Sequence, residues 1–183
     1  LTGCGKSESS NTNTAKKPLL VGTNAEFPPF EYINNDGNPD GFDIALMKAI
    51  GDEMGYDVTI KNMEFKSLIA SITTGGIDAS IAGMTITDER KQSVDFSDSY
   101  YTATQYIVLQ NGSTITSLSE LNGKKIAVQE GTTGDILATP GEDNTVITDA
   151  STTVKRFKKG SDAILELKHG GVDAVVIDAN PAQ

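Results

Sequence analysis

The chain has one cysteine, Cys4, among 183 residues, so it can close no disulfide within itself and cannot build a tetrahedral thiolate zinc site. Basic residues are the scarcer charge: 15 Lys and Arg stand against 25 Asp and Glu, a formal net charge of −10. Such a field repels polynucleotides and anionic membrane surfaces, which excludes nucleic-acid binding. No apolar run approaches the roughly 20 residues that a membrane-spanning helix needs. Any membrane anchor must therefore be covalent. The lone histidine, His169, falls at a predicted helix end beside Gly170, where it reads as a C-terminal cation rather than as a general base.

What is present is an ordinary globular composition, 37% hydrophobic, with room for one large or two small domains. From Leu19 onward, short apolar strands alternate with amphipathic helices, the pattern of an α/β fold. LLVGT (19–23) predicts a strand, and NNDGNPDG (34–41) predicts a surface loop. Phe42, Ala45, Leu46, Ala49 and Ile50 recur at helical spacing, which predicts a helix with that face buried and Gly55 as its stop. Further strands are expected at 57–63, 79–83 and 102–109, with a helix over 67–75. Thr87 is placed to cap a short helix carrying Asp88, Glu89 and Arg90.

QNGST (110–114) interrupts this pattern, and Ser117 with Glu120 has the capping-box spacing that opens a new helix. Strands at 124–129, 145–150 and 173–178, a helix after Gly131-Thr132-Thr133-Gly134 and another over 161–169 complete the chain. Gly75-Gly76-Ile77-Asp78-Ala79 resembles Gly170-Gly171-Val172-Asp173-Ala174, each closing a helix and entering a strand. This internal similarity implies two related α/β lobes joined by crossing strands, over 18–108 and 109–183, after a polar, flexible tether at 1–17. Open parallel sheets bind ligands outside the carboxyl ends of their strands, so two facing lobes would line one cleft.

The residues at those ends carry the chemistry. Gly83, Met84 and Thr85 follow a strand and bring a carbonyl and a hydroxyl near Arg90, whose planar fork suits a carboxylate. The competing reading is a surface arginine paired with Asp88, Glu89 or Asp95. Gly131 to Gly134 offers backbone N–H groups to an anion, and Asp135 stands where a Walker loop needs lysine, which excludes nucleotide. Asp178 ends a strand and offers a carboxylate to an ammonium group, or an N-cap to a helix begun by Pro181. Phe27 and Phe65 are either core residues or the walls of a sandwich around a ligand side chain. A cation, an anion and a flat slot together describe an amino-acid site.

VGTNAEFPPFEY, GFDIALMKAI, AGMTITDERKQSVDFSDSYY, LNGKKIAVQEGTTG and GGVDAVVIDANPA resemble, in order, blocks of the extracellular solute-binding proteins of polar amino-acid ABC transporters, family 3. That family includes the glutamine, arginine and lysine/arginine/ornithine binding proteins, and the resemblance runs from Pro18 to Gln183. It implies a two-lobed, periplasmic-binding-protein-like fold of type II whose hinge strands let it close on a ligand. At matching positions it implies that Arg90, with the backbone N–H groups of Thr85 and Thr133, holds the ligand α-carboxylate. Asp178, the Gly83 carbonyl and the Thr85 hydroxyl would hold the α-ammonium, with Met84 in the same loop. Phe27 and Phe65 would stack on the side chain, and Asn24 and Gln129 would face its polar end.

The resemblance implies no cofactor, no metal and no catalytic residue, and a membrane permease as partner of a monomeric receptor. Leu1-Thr2-Gly3-Cys4 resembles the end of a bacterial lipoprotein signal, which would place a lipid on Cys4 and hold the chain at the outer face of the cell membrane. Two departures bear on specificity and extent. Asn24 stands where relatives that bind glutamine or basic side chains often have aspartate, so glutamine and arginine or lysine both remain open, with Glu26 or Glu130 as the carboxylate a cation would need. Family members also continue past the ANPAQ end, so the fold is expected to lack its C-terminal part, the rest of the second lobe and the return to the first, as a segment disordered, cut away or supplied separately. An amino-acid sensor and a dehydratase-like enzyme on the same scaffold are the competing functions.

Overall fold

The computed structural model describes residues 15–182; Cys4 and most of the expected tether lie outside them. β1 (Lys17–Thr23) passes from exposed to fully buried along its length, as a strand does when both faces become covered. A small antiparallel meander comes next, built of β2 (Glu26–Phe27), β3 (Glu31–Ile33) and β4 (Pro39–Asp40). The expected 34–41 loop thus ends in a strand. Asn34 organises the turn, its Oδ1 accepting from the N–H groups of Asp36 and Asn38, each at 3.0 Å.

α1 (Phe42–Met54) begins and stops as the sequence predicts, with Gly55 in the left-handed conformation at φ 76°. Its buried face is different. Asp43, Ile44, Met47 and Gly51 face inward, while Phe42 is 51% and Ile50 38% exposed. Gly51 explains the rotation: a Cβ there would lie 2.3 Å from Cγ2 of Val58, so the helix approaches its sheet through the one residue that has no side chain. The buried carboxylate of Asp43 is invisible to a hydrophobic pattern.

β5 (Tyr56–Asn62), a 3-10 turn at Phe65–Ser67, α2 (Leu68–Thr73), β6 (Ala79–Ser80) and α3 (Asp88–Lys91) complete the first lobe. Its sheet is parallel, in the order β5-β1-β6. Val21, Met47 and Ile81 pack in one cluster, and Leu68, Ile77 and Ala82 in another.

The second lobe is built of β7 (Gln105–Leu109), a 3-10 turn at Leu118–Leu121, β8 (Lys125–Gln129), α4 (Thr133–Ala138), β9 (Thr153–Phe157), α5 (Gly160–Lys168) and β10 (Ala174–Asp178). Their sheet has the order β7-β10-β8-β9, with β7 antiparallel to β10 and the other pairs parallel. β8 reads Lys-Ile-Ala-Val-Gln with all but its first residue buried, the continuous apolar run of a strand covered on both faces. The capping box of Ser117 and Glu120 is present.

One expected strand is absent. TVITDA (145–150) is irregular, because side chains satisfy its polar groups: Thr145 Oγ1 donates to the Leu137 carbonyl at 3.0 Å, and Asn122 Oδ1 accepts from the N–H groups of Thr148 and Asp149 at 2.9 and 2.8 Å. Only Ile147 is driven into the core. The edge beside β8 belongs instead to β9, whose Thr-Val-Lys-Arg-Phe sequence is mostly exposed and was not expected to be a strand.

The two glycine junctions repeat one construction. Gly75 and Gly170 have φ of 74° and 75°, and the glycines after them donate to Ser71 and Glu166 carbonyls at 2.8 and 3.0 Å. In each lobe the strand beyond the junction enters the sheet beside the central strand, and the carboxyl ends of both sheets face each other. No helix of the described residues is long and apolar enough to cross a membrane.

Candidate functional site

A narrow, partly enclosed cavity lies between the strand ends of the two lobes. Of the sequence-predicted site residues, Asn24, Phe27, Phe65, Gly83, Thr85 and Arg90 line it from the first lobe, and Gln129, Thr133 and Asp178 from the second. Met84 does not. It packs against the cluster of Leu68, Ile77 and Ala82, and faces a neighbouring groove. Glu31, Ala82, Thr132 and Ile177 line the cavity without having been singled out from sequence. Thr132 and Ile177 adjoin predicted residues; Glu31 gives no local signal, because the turn from β2 to β3 brings it there.

Arg90 is 8% exposed and forms no ion pair among the described residues, so the surface-arginine reading is overturned. Thr87 Oγ1 accepts from the Arg90 N–H at 3.2 Å and fixes the start of the helical turn that carries it. Its Nη1 donates to the Thr85 carbonyl at 2.7 Å and its Nη2 to the Gly131 carbonyl, in the other lobe, at 2.8 Å. The remaining N–H groups of the fork are available to an anion. The Phe65 ring lies under the guanidinium, 5.6 Å from its centroid. Burial lowers the Arg90 pKa, opposed by Glu89 and Asp178.

Across the cleft, the Gly131 N–H was expected to be free for an anion but donates to Asp135 Oδ2 at 3.0 Å. Asp135 is itself held by Nε of Arg156, 3.0 Å from both carboxylate oxygens. This pair fixes the loop so that its carbonyl, not its amide, meets Arg90. Thr133 and Gly134, in the first turn of α4, supply the amide donors that remain. A Cβ on Gly134 would stand 2.9 Å from the Val176 carbonyl, so only glycine lets α4 come this close to β10.

At the deep end, Gln129 Nε2 donates to Asn24 Oδ1 at 2.8 Å and to the Lys158 carbonyl at 3.1 Å, while Asn24 Nδ2 donates to the Met63 carbonyl at 2.9 Å. Both amides are 7% exposed, and together they join the lobes. Glu26 and Glu130, the carboxylates considered for a cationic side chain, lie outside the cavity lining. They are paired instead with Lys159 at 3.0 Å and Lys66 at 2.9 Å, and with Lys158–Glu64 at 2.7 Å they tie the rim across the lobes.

The opposite end is acidic. Asp178 accepts from Nε2 of Gln105, which also donates to Thr133 Oγ1 at 3.0 Å, so Gln105 orients two predicted site residues at once. Beyond Asp178, 179–182 form a turn in which the Ala182 N–H donates to the Asp178 carbonyl at 3.3 Å. Burial raises the Asp178 pKa to about 6, against the lowering effect of Arg90. Glu31, 1% exposed, is raised to about 10 by burial and by the nearby carboxyl groups of Asp43 and Asp178.

Two α/β lobes, each presenting its strand ends to one cleft that carries a cationic fork and a carboxylate, define a two-lobed binding protein of the periplasmic-binding-protein kind. The chain belongs to the bacterial extracellular solute-binding proteins, family 3, whose model matches residues 19–178. It is 39% identical over 178 residues to the arginine-binding extracellular protein ArtP of Bacillus subtilis, covering 97% of this chain and 67% of that protein. Among solved structures, an ancestral arginine-binding protein bound to arginine is 47% identical with a TM-score of 0.82, over 90% of this chain and 71% of that one. An ancestral arginine-binding protein bound to glutamine is 45% identical, also with a TM-score of 0.82, over 91% and 72%. The chain spans about two thirds of the length of the curated relatives it matches. Membership of an extracellular family places it outside the cytoplasm.

Proposed function

We propose that this chain is the substrate-binding part of an ABC importer, capturing a polar L-amino acid between its lobes and delivering it to a membrane permease. The observation that carries this reading is the buried Arg90 fork, which faces the cleft opposite Asp178 and is tied to both lobes. An α-carboxylate takes the open side of the guanidinium, where two parallel charge-assisted bonds are available in a site shielded from water. The α-ammonium lies toward Asp178 and Gly83. The ligand side chain runs between Phe27 and Phe65 to the Asn24–Gln129 amides.

That amide pair presents carbonyl oxygens and no carboxylate, which suits the amide of glutamine directly. A guanidinium group fits the same slot by stacking on aromatic faces and donating to the amide oxygens. Arginine is the first ligand in this reading, supported by the relatives whose names and bound ligands specify it; glutamine is the second. Capture requires no bond to be made or broken, so the function is receptor-like and non-enzymatic. Closure is favoured by bonds that span the lobes and need no ligand, Arg90 to Gly131 and Gln129 to Asn24. A lipid on Cys4 would hold the monomeric receptor at the membrane.

Isothermal titration of the protein against the twenty amino acids tests this reading. Selective binding of arginine, glutamine or both is expected; heat from none of the twenty would refute it.

A further inference from the structure

At the acidic end of the cleft stands a carboxyl pair, Glu31 in its lining and Asp43 behind, that ligand capture does not by itself require. Glu31, on β3, is 1% exposed, and Asp43, on α1, is fully buried. Both carboxyls adjoin Gly83: Asp43 Oδ2 accepts from its N–H, and Glu31 Oε1 lies 3.8 Å from the place its Cβ would occupy. Two ionised carboxylates could not bond to each other there, because each only accepts. As ions they would leave Glu31 Oε2 and Asp43 Oδ1 buried without a donor, a cost that native proteins avoid. Asp43 Oδ2 is already engaged, accepting from the Gly83 N–H at 2.9 Å and from the Tyr100 hydroxyl at 2.8 Å.

The groups that face Glu31 are all acids: Asp43 from α1, Asp178 from β10 and the Tyr100 phenol from the segment before β7. The nearest cation, Arg90 on α3, acts on Asp178, with Glu89 beside it. No set of three metal-ligating side chains occurs among the described residues. A proton can supply the counter-charge that this cluster's own side chains lack.

We propose that Glu31 is a positioning residue that works as a neutral carboxylic acid, sharing one proton with Asp43 so that Asp43 holds Gly83 and the ammonium end of the cleft in its binding shape. The proposal rests on reading the cleft as an amino-acid site. Gly83 turns the chain at φ 54°, three residues beyond β6, and Glu31 Oε1 lies 3.8 Å from the place a Gly83 Cβ would occupy. Donating its proton to Asp43, Glu31 leaves the other Asp43 oxygen free for the Gly83 amide. Ionised, it would set two negative charges side by side in a dry site and push the Gly83 loop out of register.

The test combines two variants with one spectrum. Glu31→Ala is expected to weaken L-arginine binding by on the order of tenfold at neutral pH, and Glu31→Gln, which keeps a neutral donor, to recover most of that loss. Between about pH 8 and pH 11 the native chain should lose affinity faster than Glu31→Gln. The ammonium of arginine titrates equally with both proteins, so the ratio of affinities isolates Glu31. Infrared spectra of the native chain at about pH 8 should show a protonated-carboxyl stretch that Glu31→Gln lacks. Glu31→Gln as weak as Glu31→Ala, identical alkaline profiles, or a native spectrum without that stretch would each overturn the proposal. If the native chain bound no amino acid, the proposed function would fall, and the infrared band alone would still decide where the proton is.

Discussion

In the first sheet, Asp78 accepts from the Leu20 N–H through its side chain and donates to the Leu20 carbonyl through its backbone, both at 2.8 Å. In the second, Asp173 does the same with Lys125, at 2.8 and 2.7 Å. The two junctions match in these bonds, yet the strands they open differ. β6 leaves its sheet after two residues, and the chain turns through Gly83 to set Arg90 on a short helix. β10 continues for five residues and ends on Asp178 itself. The repeated construction aims a strand end at the cleft, and the residues beyond it choose the charge. One lobe contributes the cation by a detour, the other the anion directly.

The largest expected effect breaks the cation side. Arg90→Lys keeps the charge but loses the fork, leaving the Thr85 or Gly131 carbonyl unpaired, and should cost about 2–5 kcal/mol of arginine affinity by titration. An affinity that does not change would remove Arg90 from the site. Next is the proton on Glu31, whose pKa rises from 4.5 to about 10 on folding. Between those values the folded chain holds a proton that the unfolded chain has released, so stability falls as pH rises, by up to about 1.4 kcal/mol per unit. Asp178, raised from 3.8 to about 6, acts in the same direction but is exhausted above its folded value. Urea unfolding should therefore show a loss of about 2–3 kcal/mol between about pH 7 and pH 9 that Glu31→Gln flattens.

A smaller pair of effects tests the equivalence of the junctions. Asp78→Ala and Asp173→Ala each orphan a backbone N–H and should each destabilise by about 1–3 kcal/mol in urea. Costs differing by more than about twofold would mean that the likeness is geometric only. The mildest effect sharpens the anion side. As pH falls through about 6, Asp178 takes up a proton and arginine affinity should decline, by at most about tenfold per unit, and Asp178→Asn should abolish that dependence.

Much of this was legible in the residues themselves. Punctuation was local and strong: Gly55, the Thr87 cap, the Ser117–Glu120 box and the paired glycine junctions all act where the sequence places them. The cleft residues were legible because most lie at the carboxyl end of a strand or a few residues past it. Three features depend on contacts between distant segments. α1 turned its other face inward because Gly51 fits against Val58. TVITDA gave up the sheet edge because Asn122 satisfied its amides. Met84 left the cleft because its neighbours Leu68 and Ile77 offered an apolar site. Glu31 was missed for the opposite reason: a charge between aromatic residues reads as surface, until the fold buries it against Asp43.

A crystal structure with L-arginine tests the central claim most directly. The α-carboxylate is expected on the Arg90 fork, the ammonium between Asp178 and Gly83, and the side chain between Phe27 and Phe65. Arginine seated elsewhere, with its carboxylate away from Arg90, would contradict the claim.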